Sequence, residues 1–279
     1  MNVTNVSAVL EMAKFGNQAI DMLTSVGANG GHGVDFASIF ESKTASGLMN
    51  GRNLGLRDPE SGYQMMSKIN SLDVTFKAQF AELSALGGSV EHMEDVGRNL
   101  SELAPESSNA EIREQLNGFV TQYNAWIDRF SPTVADGGVL DDVRAAEISL
   151  YELEQSVSSL FHGANADVGG LKDLGIQIDP LSKHIRLDVG QLDAMLARNK
   201  TGVISAIDDF SAHFAKSADM LNEPDNFIPS YLDNHSRAIA FIANNRGSLQ
   251  AEFGTGEVAK PVSQVAQALS AYERMAVLG

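Results

Sequence analysis

The sequence predicts a mainly α protein, an antiparallel helical bundle or short coiled coil carrying one small β-hairpin near residues 174–188. Three observations predict it. Apolar residues recur at gaps of three and four over several long stretches, the signature of one buried helical stripe. A single short window, Leu174 to Asp188, switches to alternation. The chain of 279 residues is 43% apolar and has no cysteine, so its core must come from packing alone, without disulfides or thiolate-bound metal.

The elements follow in order. Residues 3–23 place Val6, Val9, Leu10, Phe15, Ile20, Met22 and Leu23 on a first helix. Eight glycines between Gly27 and Gly62 then read as a flexible linker, with one short helical turn at Phe36 to Phe40. The strongest signal covers 61–103, where Met66, Ile69, Leu72, Phe76, Phe80, Leu83, Leu86, Val90, Met93, Val96, Leu100 and Leu103 form one stripe. Gly87 and Gly88 are expected to weaken or bend that helix, and Pro105 ends the segment. A second stripe, capped by Ser108 or Asn109, runs through Ile112, Leu116, Phe119, Tyr123, Ile127 and Phe130. It closes at Ser131-Pro132 and Gly137-Gly138. A third uses Val143, Ala146, Leu150, Leu153, Val157 and Leu160.

In the hairpin window, Ile176 and Ile178 answer Ile185 and Leu187 across Asp179-Pro180 and Ser182-Lys183, which is turn chemistry. Asp188 caps a short helix bearing Leu192, Met195 and Leu196, and Thr201 starts another with Val203, Ile207, Phe210, Phe214 and Leu221. Pro224 and Pro229 bracket an irregular turn before a helix over 231–245. Pro261 opens the last helix, whose seam Val262, Val265, Leu269, Tyr272, Met275 and Leu278 needs a partner to be stable. Three regions result: an N-terminal helix plus linker (1–60), a helical core with the hairpin (61–225), and coiled-coil-like C-terminal helices (226–279).

Charge and motifs exclude whole classes of function. Thirty-six acidic residues against twenty Lys and Arg leave a net charge of −16, opposite to what nucleic acid or anionic lipid attracts. No uninterrupted apolar run is long enough for a membrane helix, and the N-terminus has no Sec-type leader pattern. Phosphate loops, dinucleotide fingerprints and nucleophile elbows are absent from the sequence. None of the six histidines stands at metal-ligand spacing from another. Asp209 and His213 read as a solvated pair, and Glu147, Glu152 and Glu154 as a charged helix face. Trp126 and the methionines Met66, Met93, Met195 and Met275 follow the apolar seams and read as packing. The expectation is a chain without catalytic residues, metal or cofactor.

Two stretches resemble the flagellar cap proteins, the hook-associated protein 2 family. Phe119-Val-Thr-Gln-Tyr-Asn-Ala-Trp-Ile-Asp128 is similar to that family's "FV-x-x-YN-x-L-[ID]" helix, and Gly138-Val-Leu-Asp-Asp-Val-Arg144 to the segment that follows it. Leu171-Lys-Asp-Leu-Gly-Ile-Gln-Ile-Asp179, Ile185-Arg-Leu-Asp188 and Leu192-Asp-Ala-Met-Leu-Ala-Arg-Asn199 continue the likeness in order, over about residues 109–225. Phe80-Ala-Glu-Leu-Ser-Ala-Leu-Gly87 adds a weaker one. The family-matching positions are Phe119, Tyr123, Asn124, Leu174, Gly175, Ile176, Leu187, Asp188 and Leu192. The sequence departs from the family in two ways. Only Ala104 to Asn109 stands where cap proteins carry a large β-rich insertion, and residues 1–54 match nothing in the family.

The resemblance implies a non-catalytic structural or assembly protein of the bacterial flagellum. It would be exported without a cleaved leader, be extracellular, form homo-oligomers and bind axial subunits such as flagellin or hook-associated proteins. The alternatives are a secreted helical adhesin or interaction module, and a cytoplasmic helper of export.

Overall fold

The computed structural model describes residues 58–158, 160–165 and 168–278. The helix expected over 3–23 and the turn at 36–40 lie outside them, as does most of the glycine-rich stretch. The described chain is mainly helical, with two small antiparallel strand pairs. Helix α1 (Pro59–Asn99) continues into a 3-10 turn at Leu100–Glu102, followed by α2 (Asn109–Val134) and α3 (Arg144–Ser158). Strands β1 (Leu160–Asn165), β2 (Val168–Gly170), β3 (Ile176–Ile178) and β4 (Ile185–Leu187) come next. Helices α4 (Val189–Asn222), α5 (Phe227–Phe253) and α6 (Ser263–Leu278) complete the chain.

Local chemistry explains the helix starts. Asp58 accepts from the Ser61 amide at 3.2 Å and the Ser61 hydroxyl at 2.7 Å, and Pro59 fills the first helical position, where a missing N–H costs nothing. Ser61 holds the Asp58 carboxyl below the usual carboxylate range. At α2, Ser108 and Glu111 form a reciprocal capping box.

The described residues divide into two compact units. One combines the chain up to Ser84 with Gly138–Arg144 and Ser230–Gly279; the other combines Ala85–Gly137 with Ala145–Pro229. The division falls inside α1.

The core of the first unit is the first half of α1 against α5. Met66, Ile69 and Phe76 bury against Ala238, Ile239, Ile242, Leu249 and Phe253. Asp73 lies buried on the same helix, and Lys77 and Arg246 both reach its Oδ2 at 2.8 Å, the pairing a buried carboxylate needs. His235 sits edge-on to Phe76 at 5.6 Å. Its Nδ1 donates to the Tyr231 carbonyl at 2.8 Å, and Nε2 lies 3.0 Å from the Gln79 side-chain amide. Burial pushes this imidazole below its ordinary pKa, with the Tyr231 carbonyl acting the other way. After α5, a strap fastens to α1: Asn70 Nδ2 donates to the carbonyls of Thr255 and Glu257, and Ser67 Oγ accepts from Glu257 N. Gly256 has φ +62°, and a Cβ there would stand 2.5 Å from Ser67 N, so only glycine fits. Helix α6 buries Ala268 against Ala78 and Val139 and sets Tyr272 edge-on to Phe80. Val262, Met275 and Val277 remain exposed.

In the second unit the core is aromatic. Phe119 of α2 meets Phe210 and Phe214 of α4 edge-to-face, each at 5.2 Å, and all three rings are buried. Phe214 packs onto α1 at Gly97, where an added Cβ would lie 2.5 Å from its ring; Ser211 Oγ donates to the Gly97 carbonyl at 2.8 Å. At Gly87, Ile228 packs close and Asn222 Nδ2 donates to the carbonyl at 2.9 Å.

Several sequence expectations change. Helix α1 continues through Gly87 and Gly88, and Gly87 is a packing site. Leu160 leaves the third helical stripe and begins β1, whose pairing with β2 the sequence reading did not anticipate. The break within α4 is at Asn199 (φ −153°, ψ 72°), whose side chain accepts from Gly202 N, so Asn199 caps the second segment, which the sequence starts at Thr201. Pro132 lies inside α2, and Pro229 sits in the first turn of α5, where its lack of an N–H is tolerated. Helix α6 starts at Ser263, so Pro261 and Val262 precede it.

Two glycines of the same helix, α1, predict opposite outcomes. Gly88→Ala faces open space and should raise stability by about 0.5–1 kcal/mol. Gly97→Ala collides with Phe214 and should lower it by about 1–3 kcal/mol. Urea unfolding of the two variants checks both signs. His235 predicts a pH effect: because its folded pKa is depressed, the unfolded chain binds the extra proton first. The contribution is fully present above about pH 6.5 and is lost as pH falls through the lowered value. Thermal melts between pH 7.5 and 5 should show that slope, and His235→Gln should flatten it.

Candidate functional site

The family-matching residues come together around the β3–β4 hairpin in the second unit. The strands pair Ile176 with Leu187, Gln177 with Arg186 and Ile178 with Ile185. Antiparallel pairing alternates, so the flanking bonds Asp179 N to His184 O and Asp188 N to Gly175 O, both 2.8 Å, leave the Ile185 amide and carbonyl turned outward. Asn124 of α2 takes both: its Oδ1 accepts from Ile185 N at 2.8 Å, and its Nδ2 donates to Ile185 O at 2.9 Å. One side-chain amide thus stands in for a neighbouring strand.

The base of the hairpin is equally fixed. Gly175 has φ +90°, and a Cβ there would lie 2.6 Å from the Asp188 carbonyl. Asp188 is exposed and caps α4 by accepting from Gln191 N at 3.0 Å. Gln191 Nε2 in turn donates to the carbonyls of Lys172 and Asp173. Leu174, Ile176 and Leu192 are buried and Leu187 half-buried, so the hairpin rests its apolar side on the helices. Phe119 and Tyr123 of α2 stack at 6.2 Å. Burial raises the Tyr123 phenol well above its ordinary pKa, with the Glu154 carboxylate adding to the effect, so it stays protonated.

At the apex, Asp179 Oδ1 accepts from Leu181 N at 2.9 Å and Ser182 N at 2.8 Å, which holds its carboxyl below the usual range. Lys183 adopts φ +62° and donates its amide to the Asp179 carbonyl. Two contacts brace the sides: the Lys183 ion pair with Glu154 of α3 at 2.9 Å, and a hydrogen bond between His184 Nε2 and Asp128 Oδ1 of α2 at 2.8 Å. Glu147 and Glu152 face solvent while Glu154 reaches the hairpin, so the three carboxylates are not one cluster.

A second concave place lies between the end of α1 and α4. Arg98, Ser101, Asp208, Ser211, Lys216 and Asp219 line an open groove of about 390 Å³. Its cations are answered within the chain, Arg98 by Glu94, and Lys216 by Asp219 and Glu223. Asp209 and His213 are exposed on α4. Trp126 is buried beside Tyr123, Met66 and Met93 are buried, Met195 is half-buried and Met275 is exposed. Among the described residues, no three His, Asp or Glu side chains are grouped to hold a metal ion, and no helix is long and apolar enough to cross a membrane.

The Asn124 clamp yields a test. Asn124→Ala strands two backbone groups and should cost about 1–3 kcal/mol, with faster hydrogen exchange at the Ile185 amide. Asn124→Asp retains the acceptor for that amide but cannot donate to the carbonyl, so it should also destabilise.

Comparison of the chain with protein-family models, curated proteins and solved structures finds no match.

Proposed function

We propose that this protein is a non-catalytic structural or assembly component of the bacterial flagellum. On this reading it is exported to the cell surface and binds axial subunits through its helical core. One observation carries it. The residues quoted for the cap-protein resemblance, scattered from Phe119 to Leu192 in sequence, converge on one clamped hairpin. A chance likeness between amphipathic helices would match seam residues. It would not match Asn124, Gly175 and Asp188, whose roles are a strand-edge amide, a left-handed turn and a helix cap. The exposed apolar side chains of Val262, just before α6, and of Met275 and Val277 on it also suit a chain that completes its packing in an assembly.

Gene deletion with complementation tests the reading. The expected result is loss or shortening of filaments, reduced swimming, and recovery of the protein from the filament fraction of complemented cells. Normal filaments, normal swimming and a purely cytoplasmic protein would together end it.

A further inference from the structure

We propose that α6 is a releasable cover: it leaves the strip of α1 that it occupies, as one element, while α5 and the strap stay closed. The inference concerns how the first unit opens and is independent of the flagellar reading.

The packing of α6 is thin. Helix α3, the shortest of the described helices, buries six of its residues, whereas α6, one residue longer, buries only Ala268 among its described side chains. Val265 and Tyr272, which pack beside it against Ala78, Val139 and Phe80, are half-buried, and Met275 and Val277 are exposed. Polar bonds do not compensate. Among the described residues, no hydrogen bond or ion pair joins an α6 side chain to another element. Ser270 Oγ donates to the Ala266 carbonyl within the helix, and Glu273 and Arg274 are exposed.

The chain just before α6 is held in the opposite way. Asn70 binds the carbonyls of Thr255 and Glu257, Ser67 takes the Glu257 amide, and Gly256 lies against the backbone of Met66 and Ser67. Beyond Glu257 those fastenings stop. Lys260 pairs only with Glu257, inside the same stretch, and Val258, Pro261 and Val262 are exposed. Glu257 is therefore the last fixed point, and the chain after it swings away without loosening the contacts of α5.

Two physical terms favour such an opening over whole-unit unfolding. Little apolar surface is exposed when α6 leaves, and segments with few buried contacts open at a small fraction of the global stability. A helix of 16 residues is also close to the length at which an isolated helix is marginal in water, so the freed segment loses its own hydrogen bonds as it departs. What it uncovers is defined: Ala78 and Phe80 of α1 with Val139 beside them. In the closed form α6 withholds that strip from any other occupant.

Hydrogen exchange of the full-length protein, read amide by amide, tests this. We expect amides 267–272 to exchange at least about a hundredfold faster than those of 239–249 in α5, with the Glu257 amide protected like α5. Low urea should speed exchange in α5 and leave 267–272 nearly unchanged, because releasing α6 exposes little surface. The chain has no cysteine, so Ala78→Cys combined with Ala268→Cys allows a single disulfide across the contact. Oxidation should bring 267–272 to within about tenfold of α5, and reduction should reverse it. The wild-type comparison decides the matter even where the paired variant does not fold. Wild-type protection of 267–272 within about tenfold of α5, equal urea dependence of the two helices, or exchange at 267–272 that the disulfide leaves unchanged would each overturn the proposal.

Discussion

The second unit turns on one close approach: the Phe214 ring occupies the space that any side chain on Gly97 would take. That contact lets α4 come near enough to α1 for Ser211 to reach the Gly97 carbonyl. It also sets the depth at which Phe210 and Phe214 meet Phe119. Three buried aromatic rings supply much of the apolar area of this core, and dense packing means a shift of one is felt by the others. The hairpin, α2 and the first half of α4 are arranged on that base.

Above the aromatic layer the organising force is polar. A two-stranded hairpin is marginal by itself. This one is held at its outer edge by the Asn124 amide, at its base by the Gly175–Asp188 bond and at its tip by the Asp179 turn. Each bond is short-range and directional, so they fix where the hairpin points, while Leu174, Ile176 and Leu192 fix that it stays down. Apolar burial supplies cohesion here, and hydrogen bonds supply aim.

Much of this was legible in the sequence. The seam from Ile112 to Phe130 is buried at every position named, and the hairpin strands lie where alternation put them, because periodicity reports directly which face an element buries. Local caps were legible too, at Ser108 and Asp188. What escaped depends on partners far along the chain. Gly87 reads as a weak point of the helix until Asn222 and Ile228 are seen against it, and nothing local marks Gly97 as the seat of Phe214, more than a hundred residues later. Asn124 read as a family-matching residue, but its task is defined by Ile185, 61 positions away. The β1–β2 strands, Leu160–Asn165 and Val168–Gly170, hold three glycines and no alternation of apolar residues, so no period marks them.

The first unit's strap and core have a consequence for synthesis. Asn70 bonds to Thr255 across 185 residues, and the α1 row Met66, Ile69 and Phe76 is covered by α5, which is made last but one among the described helices. A nascent chain therefore displays that greasy row until α5 leaves the ribosome, while α2 can already meet α4. High contact order makes the first unit's closure the late, slow step, and the interval before it is when a holding chaperone would have something to grip.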